Sequence, residues 1–216
     1  MEIVFRNREE AAQGLAKALA PYRGKNPLVL AIPRGAVPMA KTIAEALGGE
    51  ADVILVRKLR APDQPELAIG AIDETGHVYL HPYCQQLDIT DEYLEREKRQ
   101  QLAVLRERRQ QYTPARPPVS PKGRIVIVVD DGIATGSTMI SALQALRAKG
   151  PAKLVVATGV APRDTIRRIE QEADQVVCLG VPEFFHAVGQ FYEDFAQVSD
   201  EEVMALLQAE GKRKRP

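Results

Sequence analysis

The sequence predicts an α/β protein whose core is a mostly parallel, five-stranded sheet flanked by helices, and three observations predict it. Five short runs, LVLAI (28–32), ADVILV (51–56), RIVIVV (124–129), KLVVATGV (153–160) and QVVCLGV (175–181), are almost continuously apolar, as strands covered on both faces must be. Helix-forming segments separate them, and strand–helix alternation is the signature of a parallel sheet with helices on both sides. Polar, Gly- and Pro-containing loops leave these strands: PRGAVP (33–38), RKLRAP (57–62), DDGIATGST (130–138) and GVPEFFHAVGQFY (180–192). In such sheets the loops beyond the carboxyl ends of the strands form the ligand site.

Composition narrows the class. The 216 residues include 45% hydrophobic and 27% charged side chains, with Lys+Arg and Asp+Glu equal at 29 each. A length and mixture of this kind suit one globular domain, spanning 1–216. The charge balance gives no reason to expect a nucleic-acid or membrane partner. Cys84 and Cys178 offer neither a disulfide framework nor metal-ligand spacing. MEIVFRNREEAAQGLAKAL lacks the layout of a signal peptide, and no apolar stretch reaches membrane-spanning length. The expectation is a soluble, cytoplasmic protein with a short solvated tail, GKRKRP.

Along the chain, Asn7 is placed to cap an amphipathic helix whose stripe is Ala11, Leu15, Ala18 and Leu19, ended by Pro21 and Gly24. AKTIAEALGG reads as a second helix, between the first two strands. LRAPDQPE (59–66) is broken twice by proline and reads as an exposed loop. LAIGAID and HVYLH, separated by ETG, read as a β-hairpin. TDEYLEREKRQQLAVLRERRQQY (90–112) is a charged helix with Tyr93, Leu94, Leu102 and Leu105 as its buried positions and its charges on a solvated face. PARPPVSP (114–121) is a stiff connector. Helices are predicted from about Ser137 to Lys149 and over 164–171.

The loop after RIVIVV carries the chemistry. Asp130 and Asp131 end the most apolar strand, and Gly132, Ile133, Ala134, Thr135, Gly136, Ser137 and Thr138 lead into a helix. The pattern lacks the Gly-x4-Gly-Lys of a P-loop and the glycine spacing of a dinucleotide fingerprint. What remains is a turn of small residues whose backbone N–H groups can converge on an anion beside a helix N-terminus, with hydroxyls from Thr135, Ser137 and Thr138. Carboxylates next to a bound phosphate would repel it unless they face hydroxyls or a metal. A sugar 5-phosphate satisfies both halves.

These residues resemble the phosphoribosyl pyrophosphate (PRPP) signature of the type I phosphoribosyltransferases: an apolar strand, two adjacent acids, small residues, then Thr-Gly-Ser/Thr. The resemblance covers roughly 28–195. It implies a Rossmann-like core over about 28–180, a hairpin flexible loop over about 59–80, a helical insertion over about 90–112 and a small hood over about 180–195. It implies that Asp130 and Asp131 are the catalytic acids gripping the ribose hydroxyls, with 132–138 around the 5-phosphate. AIPRGAVPMA resembles the family's pyrophosphate loop, where the peptide entering the glycine region is often cis. It would contribute Arg34 and the backbone of Gly35 and Ala36, and Arg57 and Lys58 would add cations. The flexible loop would close over the site and exclude water.

By the same resemblance, Mg2+ would bridge pyrophosphate and ribose near Asp130 and Asp131, without a certain direct ligand. The partners would be PRPP and a small-molecule base, and family members are often homodimers. Val181-Pro182-Glu183 followed by Phe184 or Phe185 resembles the base-stacking tail of purine phosphoribosyltransferases, although no lysine stands where the 6-oxopurine enzymes place one. The implied function is transfer of ribose 5-phosphate to a nitrogenous, purine-like base. The alternative is a non-catalytic regulator that keeps the PRPP pocket. LAIPRGAVP, RKLRAPDQPELAIGAI and VDDGIATGST together resemble a branch of predicted phosphoribosyltransferases, sometimes fused to hydrolase domains, whose acceptor is generally unassigned.

Overall fold

The computed structural model describes residues 4–213 apart from 63, 65, 66, 82, 83, 85, 86, 88 and 114–117. Helix α1 (Arg8–Ala18) opens the chain, and the side chain of Asn7 caps it by accepting from the Glu10 N–H at 3.0 Å. Strand β1 (Leu28–Ala31), helix α2 (Ala36–Leu47) and strand β2 (Glu50–Val53) follow. Strands β3 (Val56–Arg60), β4 (Ala68–Asp73) and β5 (Val78–Leu80) form a separate antiparallel sheet, and helix α3 (Asp91–Tyr112) comes next. The remaining elements are β6 (Ile125–Gly132), α4 (Ser137–Arg147), β7 (Lys153–Val160), α5 (Arg163–Ile169), β8 (Gln175–Gly180) and α6 (Asp200–Arg213).

The main sheet has the order β2-β1-β6-β7-β8, with every pairing parallel. Its two faces are read from alternate residues. Leu28, Leu30, Val126, Val128, Leu154 and Val156 pack with Met139, Leu143 and Leu146 of α4. Val29, Ala31, Ile127, Val129, Val155 and Ala157 pack with Leu15 of α1 and with Val37, Ile43 and Leu47 of α2. Fully burying a side chain of this size contributes about 2 kcal/mol, so apolar residues at successive positions of β1, β6 and β7 hold both layers at once.

Chain direction across the sheet reverses between β1 and β6. From β1 the next parallel strand, β2, lies on one side, whereas β7 and β8 extend from β6 on the other. The loops that leave β1 and β6 therefore diverge to opposite faces and open a crevice at the carboxyl edge. The two most distinctive loops of the sequence flank that crevice.

Several expectations are corrected. The apolar run 51–56 is not one strand: β2 stops at Val53, and Val56 begins β3, so Arg57 and Lys58 lie within the small sheet. Residues 59–61 are not an exposed loop, because Leu59 and Ala61 are buried; Asp63, Pro65 and Glu66 lie outside the described residues. The predicted hairpin is present as β4–β5, with β3 as its third strand. In α1 the buried stripe is Ala11, Ala12, Leu15 and Ala16, and Ala18 is exposed. In α3 Leu105 is buried as expected, but so are Glu97, Gln101, Arg109 and Tyr112, because polar partners from other elements meet them there. Helix α6 runs to Arg213, so the basic tail is helical over 211–213. The first part of the 114–121 connector lies outside the described residues.

Candidate active site

Alternation along β6 separates the two acids. Val126 and Val128 face α4 while Ile127 and Val129 face α1 and α2, and the same alternation sends Asp131 toward α1. There its Oδ2 accepts from Arg8 Nε at 2.7 Å, a pair in which each side chain keeps little more than a tenth of its exposure. The Arg8 guanidinium stacks on the Phe195 ring at 3.9 Å and donates to the Ala196 carbonyl at 2.6 Å. Tyr192 Oη donates to the Asp131 carbonyl at 2.6 Å, and the Asp131 N–H donates to Asp130 Oδ1 at 2.9 Å. Burial pushes the Tyr192 phenol upward, and the Asp131 charge adds to it.

Removal from water pushes Asp130 well above the usual carboxylate range; the Asp131 charge pushes the same way, and Arg8 opposes both. Like charges one residue apart repel, and Arg8, paired with Asp131, offsets part of that charge.

Pro33 and Arg34 are joined by a cis peptide, at the loop that leaves β1. Gly35, the N-cap of α2, lies against the acids. A Cβ there would overlap Asp131 Oδ2 and stand 3.1 Å from Arg8 Nε. Its φ of −56° is open to any residue, so the requirement for glycine is space and not backbone conformation. Ala36 opens α2. Arg34 reaches Asp200 at the start of α6, 3.4 Å away, and the same carboxylate accepts from Tyr112 Oη at 2.7 Å.

Across the crevice, the loop after β6 is braced from behind. Thr165 Oγ1 donates to the Ala134 carbonyl at 2.6 Å, and Arg168 donates to the Thr135 carbonyl at 3.2 Å. These bonds tie down the Ala134 and Thr135 carbonyls, and the Ile133 N–H is taken by the Val160 carbonyl at 2.9 Å. Gly136 caps α4 at φ +75°, a region that favours glycine. Thr135 Oγ1 and Ser137 Oγ are 3.3 Å apart, and Thr138 is exposed. Gly132 and Ile133 lead into the turn, with Ile133 buried.

The remaining candidates are spread more widely. Arg57, in β3, is held by the Gln101 side chain of α3. Lys58 forms no ion pair among the described residues. In the hood, Phe184 is 72% exposed and Val181 38%, whereas Phe185 packs on Phe191 with ring centroids 5.2 Å apart. Of the two adjacent hood phenylalanines, Phe184 is the more exposed.

Sequence reasoning missed Arg8, Tyr192 and Asp200. Arg8 carried one signal: it is a cation in the first turn of a helix, where the dipole disfavours positive charge and where Glu9 and Glu10 are the ordinary occupants. Among the described residues no group of three His, Cys, Asp or Glu side chains gathers to hold a metal. Asp130 and Asp131 offer carboxylate oxygens, and these suit a Mg2+ that completes its shell with water and phosphate oxygens.

A strand-end acid pair lies between the loops that leave β1 and β6, at the reversal point of a parallel sheet, the α/β arrangement in which a ligand site forms at the carboxyl edge. The chain belongs to the phosphoribosyl transferase family: the model of the phosphoribosyl transferase domain matches residues 2–196. Two Mycobacterium tuberculosis proteins named "Putative phosphoribosyl transferase", MT0597 of strain CDC 1551 and Rv0571c of strain H37Rv, are each 42% identical over 205 residues, or 94% of this chain. The match takes in 46% of each of them, so the chain spans about half the length of these relatives. The crystal structure of TT1426 from Thermus thermophilus superposes with a TM-score of 0.89 at 46% identity, covering 95% of this chain and 98% of that one. Among the described residues, no helix is long and apolar enough to cross a membrane.

Proposed function

We propose that the chain transfers ribose 5-phosphate from PRPP to a ring nitrogen of a purine-like base and releases pyrophosphate. The observation that carries this is the placement of Asp130 and Asp131 at the mouth of the crevice, between the Gly132–Thr138 turn and the Pro33–Ala36 loop. The turn would take the 5-phosphate through backbone N–H groups and the hydroxyls of Thr135, Ser137 and Thr138. The acids would hold the ribose hydroxyls, and Arg34, Gly35, Ala36, Arg57 and Lys58 would hold the pyrophosphate.

In the reaction the bond from C1 of the ribose to a pyrophosphate oxygen breaks, and its electron pair leaves with pyrophosphate. A ring-nitrogen lone pair of the base forms the new bond to C1, and the proton the base gives up passes to the released pyrophosphate or to water. Mg2+ would supply neutralisation of the leaving pyrophosphate. The protein's part is position and charge. Asp130 and Asp131 stand where positive charge develops on the sugar, and Arg8 fixes Asp131 so that its carboxylate does not swing. Phe184 would stack on the base. Residues 59–80 would exclude water from the site.

The test is pyrophosphate release from PRPP with Mg2+ against a panel of purine, pyrimidine and pyridine bases. Release with a purine is expected. Tight PRPP binding without release for any base would replace the enzyme by a PRPP-binding regulator.

A further inference from the structure

A second recess lies at the same edge of the sheet, under the helix whose charges the sequence assigns to a solvated face. It is walled by Pro33, Leu55, Arg57, Leu105, Arg108 and Thr138. These residues come from the loop after β1, the loop after β2, β3, α3 and the first turn of α4. The recess therefore joins the arginine-bearing loop to the phosphate-turn helix, and α3 roofs it.

The rotation of α3 about its axis is set by its neighbours. Arg109 is buried and donates to Asp52 Oδ1 at 2.9 Å, to the Val53 carbonyl at 3.0 Å and, through two nitrogens, to the Glu74 carboxylate. Leu105 and Tyr112 are buried on the same side. Arg108 stands three residues after Leu105 and four before Tyr112, spacings that share a helix face. The Arg109 bonds thus aim Arg108 at the recess.

Cations converge there with few anions to meet them. Arg57 is held by Gln101, a neutral partner, while Glu97 is taken up by the Arg60 N–H and Gln101 Nε2. Arg34, next to Pro33 in the wall, has Asp200 at 3.4 Å, with both side chains about a third or more exposed. Arg108 forms no ion pair among the described residues. The Tyr112 phenol reports the same convergence: burial and Asp200 push it up to about 12, while Arg108 and Arg34 both pull against that. Three guanidiniums from three elements repel one another unless an anion joins them, and guanidinium forks match phosphate oxygens.

We propose that Arg108 of α3 is a binding residue for the diphosphate group, completing with Arg57 a subsite in the recess. This rests on the phosphoribosyl-transfer function above, and extends it by assigning α3 a direct part in holding the leaving group.

The experiment is calorimetric titration of inorganic pyrophosphate with Mg2+, and separately of ribose 5-phosphate, into the protein and its Arg108→Gln and Arg108→Lys variants. Arg108 is exposed on its helix, so the thermal midpoint should hold in each. Arg108→Gln is expected to weaken pyrophosphate about tenfold, to change ribose 5-phosphate by less than about twofold, and to be partly rescued in Arg108→Lys. Unchanged pyrophosphate affinity, or equal loss of both ligands, overturns the proposal while leaving phosphoribosyl transfer intact. An unsubstituted protein that binds ribose 5-phosphate and not pyrophosphate overturns the diphosphate subsite alone. Binding of neither ligand overturns the function and the subsite together.

Discussion

The two walls of the crevice are built in opposite ways. The phosphate-turn wall is a single stretch, 130–138, whose Ala134 and Thr135 carbonyls are pinned from behind by Thr165 and Arg168. The opposite wall is assembled from side chains far apart in sequence: Arg8 of α1, Arg34 and Gly35 before α2, Arg57 of β3, Arg108 of α3 and Asp200 of α6. A wall made of backbone depends on local conformation. A wall made of side chains depends on every element that carries one staying in place, so damage to the scaffold should reach the second wall first.

The largest expected effect tests that dependence directly. Arg109 joins α3 to β2 and to the end of β4 through buried Asp52 and Glu74. Burial pushes the Glu74 carboxyl upward, and Arg109 opposes it. Arg109→Met leaves two carboxylates buried without their cation and should cost about 3–5 kcal/mol of unfolding free energy, measured by urea denaturation. In protein that remains folded, pyrophosphate affinity should fall while ribose 5-phosphate affinity holds. Equal losses at both walls would erase the distinction.

Next in size is Gly35→Ala. The new methyl overlaps Asp131 Oδ2 and crowds Arg8, so the acid must shift by a sizeable fraction of an ångström. Displacement of that order in a reacting geometry costs about 100-fold in rate. Steady-state pyrophosphate release should show this with little change in thermal midpoint, because the helical φ of Gly35 suits alanine. A variant with full activity would show that Asp131 need not stay where Arg8 holds it.

The same contrast decides what the sequence revealed. Four of the five strands of the main sheet were legible because the runs that carry them are mostly apolar, β2 because its apolar run continues past the strand to Leu55, and the 130–138 turn because its chemistry is contiguous. The break at Val53 was not legible. Ile54 and Leu55 are as apolar as a strand and are buried, but after the Ile54 N–H bonds the Ala31 carbonyl the backbone leaves the sheet. Arg109 resembled its exposed neighbours in a run of charges, and only Asp52 and Glu74, 57 and 35 residues away, make it a core residue. Arg8 was hidden likewise, since its partner Asp131 is 123 residues distant.

On the phosphate-turn wall a smaller effect is expected. Thr165→Val keeps the shape of a buried side chain but removes the donor to the Ala134 carbonyl. Loss of one such hydrogen bond costs about 1 kcal/mol, and it should weaken ribose 5-phosphate severalfold in calorimetry while pyrophosphate binding holds. This is the mirror image of the Arg109 variant, and a loss confined to pyrophosphate would reverse the assignment of the walls.

The smallest effect should be a gain. Asp200 accepts from Tyr112 and pairs with Arg34 at 3.4 Å, with 35% and 42% of the Arg34 and Asp200 side chains exposed. An exposed pair of this length is worth about 0–1 kcal/mol, so it is a weak competitor for a guanidinium that a diphosphate would hold by charge-assisted bonds. Asp200→Asn keeps an acceptor for the Tyr112 hydroxyl and removes the charge. Pyrophosphate should then bind up to about fivefold tighter, the ceiling set by such a pair, and the gain should shrink as salt is raised. Ribose 5-phosphate affinity should not change, because among the described residues the Asp200 carboxylate meets Arg34 and Tyr112 and no side chain of 130–138. Weaker pyrophosphate binding in Asp200→Asn would mean that the carboxylate orients Arg34 toward its ligand instead of competing for it, and that α6 belongs to the second wall as a support.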